Sequence, residues 1–178
     1  MWYNLRGYRK KLIYMSTDLM EMRVAVVTHD PNTNRPVLIL KNEEAGKILP
    51  IWIGPYEAYA IMMAIEGVEP TRPQTHDLIK SLLAALEAHV VRVVVHDLAD
   101  NTFYARIFVE APEGLIEVDA RPSDAIAVAL RTDSPIYVAR EIIENNGADA
   151  QADKAGGDEL EELLENLTPD DFEFDKPS

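Results

Sequence analysis

Cysteine is absent from the 178 residues, which removes disulfides, thiolate nucleophiles and cysteine-ligated metals at the outset. Histidine is scarce, and His29, His76, His89 and His96 are the four imidazoles available for proton transfer or ligation. No apolar run approaches the roughly 18 residues that a membrane span needs, so no membrane partner is expected. Basic side chains are the minority, 17 Lys and Arg against 31 Asp and Glu, for a net charge of −14. A chain this acidic repels polyanions at long range, so contact with nucleic acid requires a local basic site and weakens with salt. The signatures of several enzyme classes are missing as well. There is no G-x-x-x-x-G-K-[ST] phosphate loop, G-x-G-x-x-G fingerprint, G-x-S-x-G elbow or H-E-x-x-H zinc helix.

What remains is the composition of an ordinary globular protein, 47% hydrophobic and 27% charged, long enough for one domain with extensions. Residues 1–19 are net basic through Arg6, Arg9, Lys10 and Lys11, but lack the apolar stretch of about 7 to 15 residues that follows in a secretion signal. They read as a disordered extension, or as a misplaced start ahead of Met20 and Met22, on a protein expected in the cytoplasm. The regular pattern covers residues 20–144. Residues 145–157 (NNGADAQADKAGG) read as a flexible linker, and residues 158–178 as an acidic tail. Within the tail, Leu160, Leu163, Leu164 and Leu167 give a short amphipathic helix, suited to docking at home or on a protein partner. The acidity itself reads first as solubility.

Within the patterned region, Arg23 to Thr28 and Pro36 to Lys41 read as strands joined across the turn-rich HDPNTNR. Lys47 to Ile53 is a third strand, placed at an edge or bulge by Pro50. Gly54-Pro55 opens a helix with Ala58, Ile61, Met62 and Ile65 on one face. Thr75 is expected to cap a second helix, whose stripe of Leu78, Ile79, Leu82, Leu83 and Leu86 is expected in the core. Val90 to Val95 is β-branched enough for a central strand, followed by strands over Thr102 to Glu110 and Leu115 to Ala120. A helix over Ser123 to Arg131 and a strand over Pro135 to Ala139 complete the pattern. The expected class is α+β, with a mainly antiparallel or mixed sheet and three principal helices.

Two segments echo each other at the starts of helices: Arg72-Pro73-Gln74-Thr75-His76-Asp77 and Arg121-Pro122-Ser123-Asp124. Proline holds the preceding arginine on extended backbone. A helix N-terminus attracts anions, and a guanidinium fork can bind phosphate through two hydrogen bonds. Each segment has a plainer reading, in which the hydroxyl caps its helix and the aspartate complements the dipole. Alternation along residues 116–121 turns Asp119 and Arg121 away from Val118 and Ala120. Glu57 lies in the first turn after Gly54-Pro55. These carboxylates could hold Mg²⁺ or Mn²⁺ through oxygen while the arginines meet phosphate. No organic cofactor is expected. The three His-Asp pairs, at 29–30, 76–77 and 96–97, also invite a metal-phosphohydrolase reading, but only His76-Asp77 begins a helix. His89 is expected as a dipole partner at a helix end, and Trp52, Met62 and Met63 as core or subunit-contact residues.

With these residues in view, the chain resembles the bifunctional nuclease domain family, formerly a domain of unknown function. The stretches LPIWIGPYEAYAI, RPQTHDLIKSLL, VDARPSDAIAVALR and PIYVA carry the resemblance. The resemblance implies a wedge-shaped α+β domain, assembly as a homodimer or higher homo-oligomer with a groove at its thin end, and nuclease activity on DNA or RNA. It also implies functional positions at Glu57, Arg72, Thr75, His76, Asp77, Asp119, Arg121, Ser123 and Asp124. The expected function is metal-assisted phosphodiester hydrolysis of nucleic acid. In it, His76, Asp77, Arg121 and Asp124 are catalytic, and Arg72, Thr75 and Ser123 bind substrate. Glu57, Asp77, Asp119 and Asp124 hold the metal. A reading of a different class remains beside it: a non-catalytic homo-oligomeric module that binds an anionic ligand or a protein partner.

Overall fold

Alternating apolar residues build the strands, and turn formers between them set their order. A computed structural model describes residues 18–149. Residues 1–17 of the expected N-terminal extension, the rest of the linker and the acidic tail with its amphipathic helix lie outside the described residues, and Leu19, the last residue of that expected extension, instead opens β1. In chain order the elements are β1 (Leu19–His29), β2 (Pro36–Asn42), β3 (Lys47–Trp52), α1 (Pro55–Ile65), α2 (Thr75–Ala85), β4 (His89–Ala99), β5 (Thr102–Ala111), β6 (Gly114–Ala120), α3 (Pro122–Thr132), β7 (Ile136–Ala139), α4 (Arg140–Asn146) and β8 (Ala148–Asp149). The strands form one eight-stranded sheet in the order β6-β5-β4-β7-β1-β2-β3-β8. It is a mixed sheet in an α+β fold. β4 and β7 are parallel, and every other neighbouring pair is antiparallel.

β1 joins two halves of the sheet. Leu19 to Met22 pair with β7, whereas Arg23 onward pairs with β2, with a register shift between Val24 and Val26. Such a bulge bends the strand and strengthens its twist. The run Val90 to Val95 is central, as its β-branched composition implies, with β5 on one side and β7 on the other. Pro50 pairs with Ile39 of β2, and β8 covers β3 only at Lys47 and Ile48, so the proline lies where β3 is an edge. α4 runs to Asn146 and β8 takes in Ala148–Asp149, so regular structure extends past residue 144.

α3 is the centre of the packing. Ala125, Ile126, Ala127, Val128 and Ala129 are fully buried between the sheet and the flanking helices. The alternating alanines let helix and sheet approach closely, and each large aliphatic buried this way contributes about 1.5–3 kcal/mol. A second cluster forms on the other face of β2 and β3, where Val37, Ile39, Ile48 and Trp52 meet Leu98 and Phe103 from the β4–β5 hairpin. The hairpin turns at Asp100-Asn101, both in the left-handed region with φ of 49° and 56°, as a two-residue hairpin loop requires. Its tip is thereby placed beside the end of β3.

α2 departs from expectation. His76 is its one buried residue, and Leu78, Leu82 and Leu86 are 52%, 53% and 68% exposed. Ile79 and Leu83 alone of the stripe pack on the core. The periodicity identifies an amphipathic helix but not what covers its apolar face. Thr75 is not the cap either. Gln74 holds that position, in a capping box closed by Asp77. His89 opens β4 rather than ending a helix, and its Nε2 lies 3.1 Å from Glu110 on the neighbouring strand.

Candidate functional site

The two Arg-Pro segments meet, through His76 and Asp124. Arg121 is the N-cap of α3 on extended backbone (φ −67°, ψ 147°), as a residue before proline should be. Its guanidinium is held from two sides. Nε donates to Asp124 Oδ2 at 2.7 Å and Nη2 to Asp124 Oδ1 at 3.2 Å, while Nη2 also reaches Glu57 Oε1 at 2.8 Å. Asp124 Oδ1 in turn lies 3.2 Å from His76 Nε2. Three distant segments, the starts of α1, α2 and α3, thus supply a continuous line Glu57–Arg121–Asp124–His76.

Glu57 reaches Arg121 because the residue before Pro55 is glycine. Gly54 has an ordinary φ of −75°, so its role is not conformational. A Cβ at this position would collide with the Glu57 carboxylate. Missing side-chain volume at Gly54 gives that carboxylate its place.

Electrostatics follow from these contacts. Burial pushes the Asp124 carboxyl upward, but hydrogen bonds from Arg121 and His76 and their charges hold it below its ordinary value. Arg121 is raised in return, first by its hydrogen bond to Asp124 and also by Glu57. With Asp124 ionised, its bond to the imidazole requires a proton on Nε2.

Asp77 lies at a different contact. Its Oδ1 accepts from Arg131 Nε at 2.6 Å and its Oδ2 from the backbone N–H of Gln74 at 2.9 Å. Burial raises its pKa, and the Gln74 amide and Arg131 more than offset that, so it is lowered. The Arg131 side chain is only 8% exposed. This pair fastens α2 to α3 and was not foreseen from sequence; its partners are 54 residues apart. Arg72 and Thr75 are exposed. Asp119 is exposed on the face of β6 opposite Val118 and Ala120. Ser123 is 6% exposed in the first turn of α3.

The four carboxylates therefore do not converge. Among the described residues, no three His, Asp or Glu side chains are grouped to hold a metal ion. Asp77 is committed to Arg131, and Glu57 and Asp124 are both turned onto Arg121. In this arrangement the described residues do not fit a resident divalent ion.

Beside Arg121 and Glu57 opens a cleft of about 310 Å³ between the end of β3, the β4–β5 hairpin tip and the start of α3. Elsewhere, Asp30 is fully buried and accepts hydrogen bonds from the Trp52 indole (3.0 Å) and from the Asn32 and Thr33 amides. It fixes the β1–β2 loop onto β3 and places Trp52 in the core. No described helix is long and apolar enough to cross a membrane.

The α+β domain thus brings an arginine fork and an imidazole together at helix starts. The bifunctional nuclease domain model matches residues 38–151, and the chain belongs to that family. Uncharacterized protein Rv1829 of Mycobacterium tuberculosis is 42% identical over 162 residues, which cover 85% of this chain and 97% of that protein. "Bifunctional nuclease 1" of Oryza sativa subsp. japonica is 28% identical over 114 residues, covering 62% of this chain and 34% of the plant protein. "Bifunctional nuclease 1" of Arabidopsis thaliana is 28% identical over 116 residues, covering 63% of this chain and 36% of its own length. The chain thus spans about a third of the plant proteins.

Proposed function

We propose that the chain hydrolyses phosphodiester bonds of DNA or RNA at the Glu57–Arg121–Asp124–His76 line. The observation that carries this reading is the anchored arginine. Arg121 has its Nε and Nη2 on carboxylates, its side chain is 66% exposed, and Nη1 is directed at none of those partners. A cation fixed in advance at the surface stabilises charge on phosphoryl oxygens without reorganising during reaction. Asp124 orients His76, whose Nδ1 takes a proton from the attacking water as oxygen bonds to phosphorus. The same imidazolium then protonates the leaving oxygen as its bond to phosphorus breaks. Arg72 lies four residues before His76 and is exposed, suited to a flanking phosphate. The names of the plant relatives support the same chemistry.

Purified full-length chain is assayed on single-stranded RNA and DNA, with and without Mg²⁺ or Mn²⁺, beside Asp124→Asn and His76→Ala. Cleavage lost in both variants supports the reading, whereas cleavage that survives both refutes it. The metal arms test whether a cation arriving with substrate contributes.

A homodimer belongs to the same proposal. An 11-residue helix with one buried residue is too short to be stable on its own. Among the described residues β6 is an edge strand, and it exposes Ile116 and Val118 at 48% and 44% on the same face as the core residues Val109 and Ile107 opposite them. An edge of this kind is self-complementary under two-fold symmetry. Leu82→Glu is expected to shift the protein to monomer in sedimentation analysis; an unchanged mass removes the α2 contact.

A further inference from the structure

We propose that the cleft beside Arg121 seats one unpaired nucleotide, with its base between the β4–β5 hairpin tip and the end of β3. The inference rests on the hydrolytic reading above and names its substrate as single-stranded. Arg35, Trp52, Thr102, Phe103, Arg121 and Ser123 are among the residues that line the cleft. Its floor is apolar, since Ile51, Trp52 and Ile53 are buried at 3%, 4% and 6% exposure, while guanidinium groups stand among its walls. An apolar slot with a few convergent polar groups is the ordinary form of a small-ligand site, and about 310 Å³ is at the lower end of the usual size range. Bases are read this way when they are unstacked and splayed out. A paired base has both faces covered by its neighbours and cannot enter.

Ser123 supplies the second, independent observation. The residue is 6% exposed, yet its hydroxyl makes no hydrogen bond with any described residue. Its Oγ is not sealed from solvent, and the residue lines the cleft. A hydroxyl fixed in the first turn of a helix and open to the cleft can donate to or accept from a ligand seated there. Here the group stands one residue beyond Pro122 in the first turn of α3, next to the arginine that would hold the phosphate. The base or sugar edge of a nucleotide supplies a partner for it.

The test is isothermal titration of the full chain with a nucleoside 5′-monophosphate and, separately, with inorganic phosphate. The nucleotide is expected to bind about tenfold more tightly than phosphate, an increment of the size that placing one base in an apolar slot can supply. Thr102→Trp places bulk at the exposed rim and is expected to remove that advantage while phosphate affinity stays within about twofold. Ser123→Ala, which cannot clash, is expected to reduce the advantage severalfold. Equal affinity for nucleotide and phosphate, absence of nucleotide binding, or a preference insensitive to both variants overturns the proposal. The two readings fail separately. Nucleotide binding that obeys these variants without any hydrolysis refutes the enzyme and leaves the cleft. Hydrolysis that depends on Arg121 and His76 without nucleotide preference does the reverse.

Discussion

Replacing Arg121 separates stability from catalysis, because the same side chain is a minor term in one and a major term in the other. The guanidinium makes three charged contacts, at 2.7 and 3.2 Å to Asp124 and 2.8 Å to Glu57, but its side chain is 66% exposed. Ion pairs on an exposed partner contribute about 0–1 kcal/mol after screening and side-chain entropy. Arg121→Ala should therefore lower the melting temperature by only a few degrees, about what 1 kcal/mol produces in a domain of this size. Hydrolysis should fall much further. Loss of one preorganised donor to a developing oxyanion costs about 10²–10³ in kcat. Arg121→Lys should recover only part of the loss, since an ammonium cannot span Glu57 and Asp124 as the planar fork does. Calorimetry gives the first quantity and initial rates on a fluorescent single-stranded oligonucleotide give the second. An Arg121→Ala protein that melts normally and cleaves within about threefold of wild type refutes the role assigned to the arginine.

Other consequences are equally concrete. Gly54→Ala puts a methyl group where the Glu57 carboxylate lies, so cleavage should fall with little change in melting temperature; unchanged cleavage would show that Glu57 does not position Arg121. Asp30→Ala leaves the Trp52 indole and two amides without their acceptor and should destabilise the fold by about 3 kcal/mol in urea, with a loss near zero contradicting the loop anchor. Asp30, Asp77 and Asp124 are each held below the ordinary value of 3.8 against burial: Asp30 by Trp52 and the loop amides, Asp77 by Gln74 and Arg131, and Asp124 by Arg121 and His76. Their lowered folded values mean that this stability is complete above pH 3.8 and is lost as pH falls through them. The urea midpoint should therefore decline below that pH, and a flat acid limb would contradict the three contacts.

Local chemistry made most of the fold legible. β-branched Val90 to Val95 belongs in the middle of a sheet, alternation in residues 102–110 and 115–120 marks strands with two faces, and Pro55 and Pro122 open helices in the sequence as they do in space. The exposed α2 leucines were not legible as such, because a period of 3.6 residues marks an apolar face without naming what lies against it. At the site, the line joining Glu57, Arg121, Asp124 and His76 follows from residues that local spacing had already singled out at helix starts. The Arg72-Pro73 segment contributes its histidine rather than Arg72, which stays exposed. Asp77 has its partner in Arg131, seven residues beyond Asp124, and nothing local to either residue signals that pairing. Only the tertiary packing of α2 across α3 brings the two together.

The central claim is that Asp124 and His76 act together on a phosphodiester. The most direct measurement is single-turnover cleavage of a single-stranded oligonucleotide by wild type, Asp124→Asn, His76→Ala and the double variant. The account predicts that each single variant loses at least about a hundredfold and that the double loses little more, as residues acting as a unit do. Single variants that cleave at the wild-type rate would contradict it.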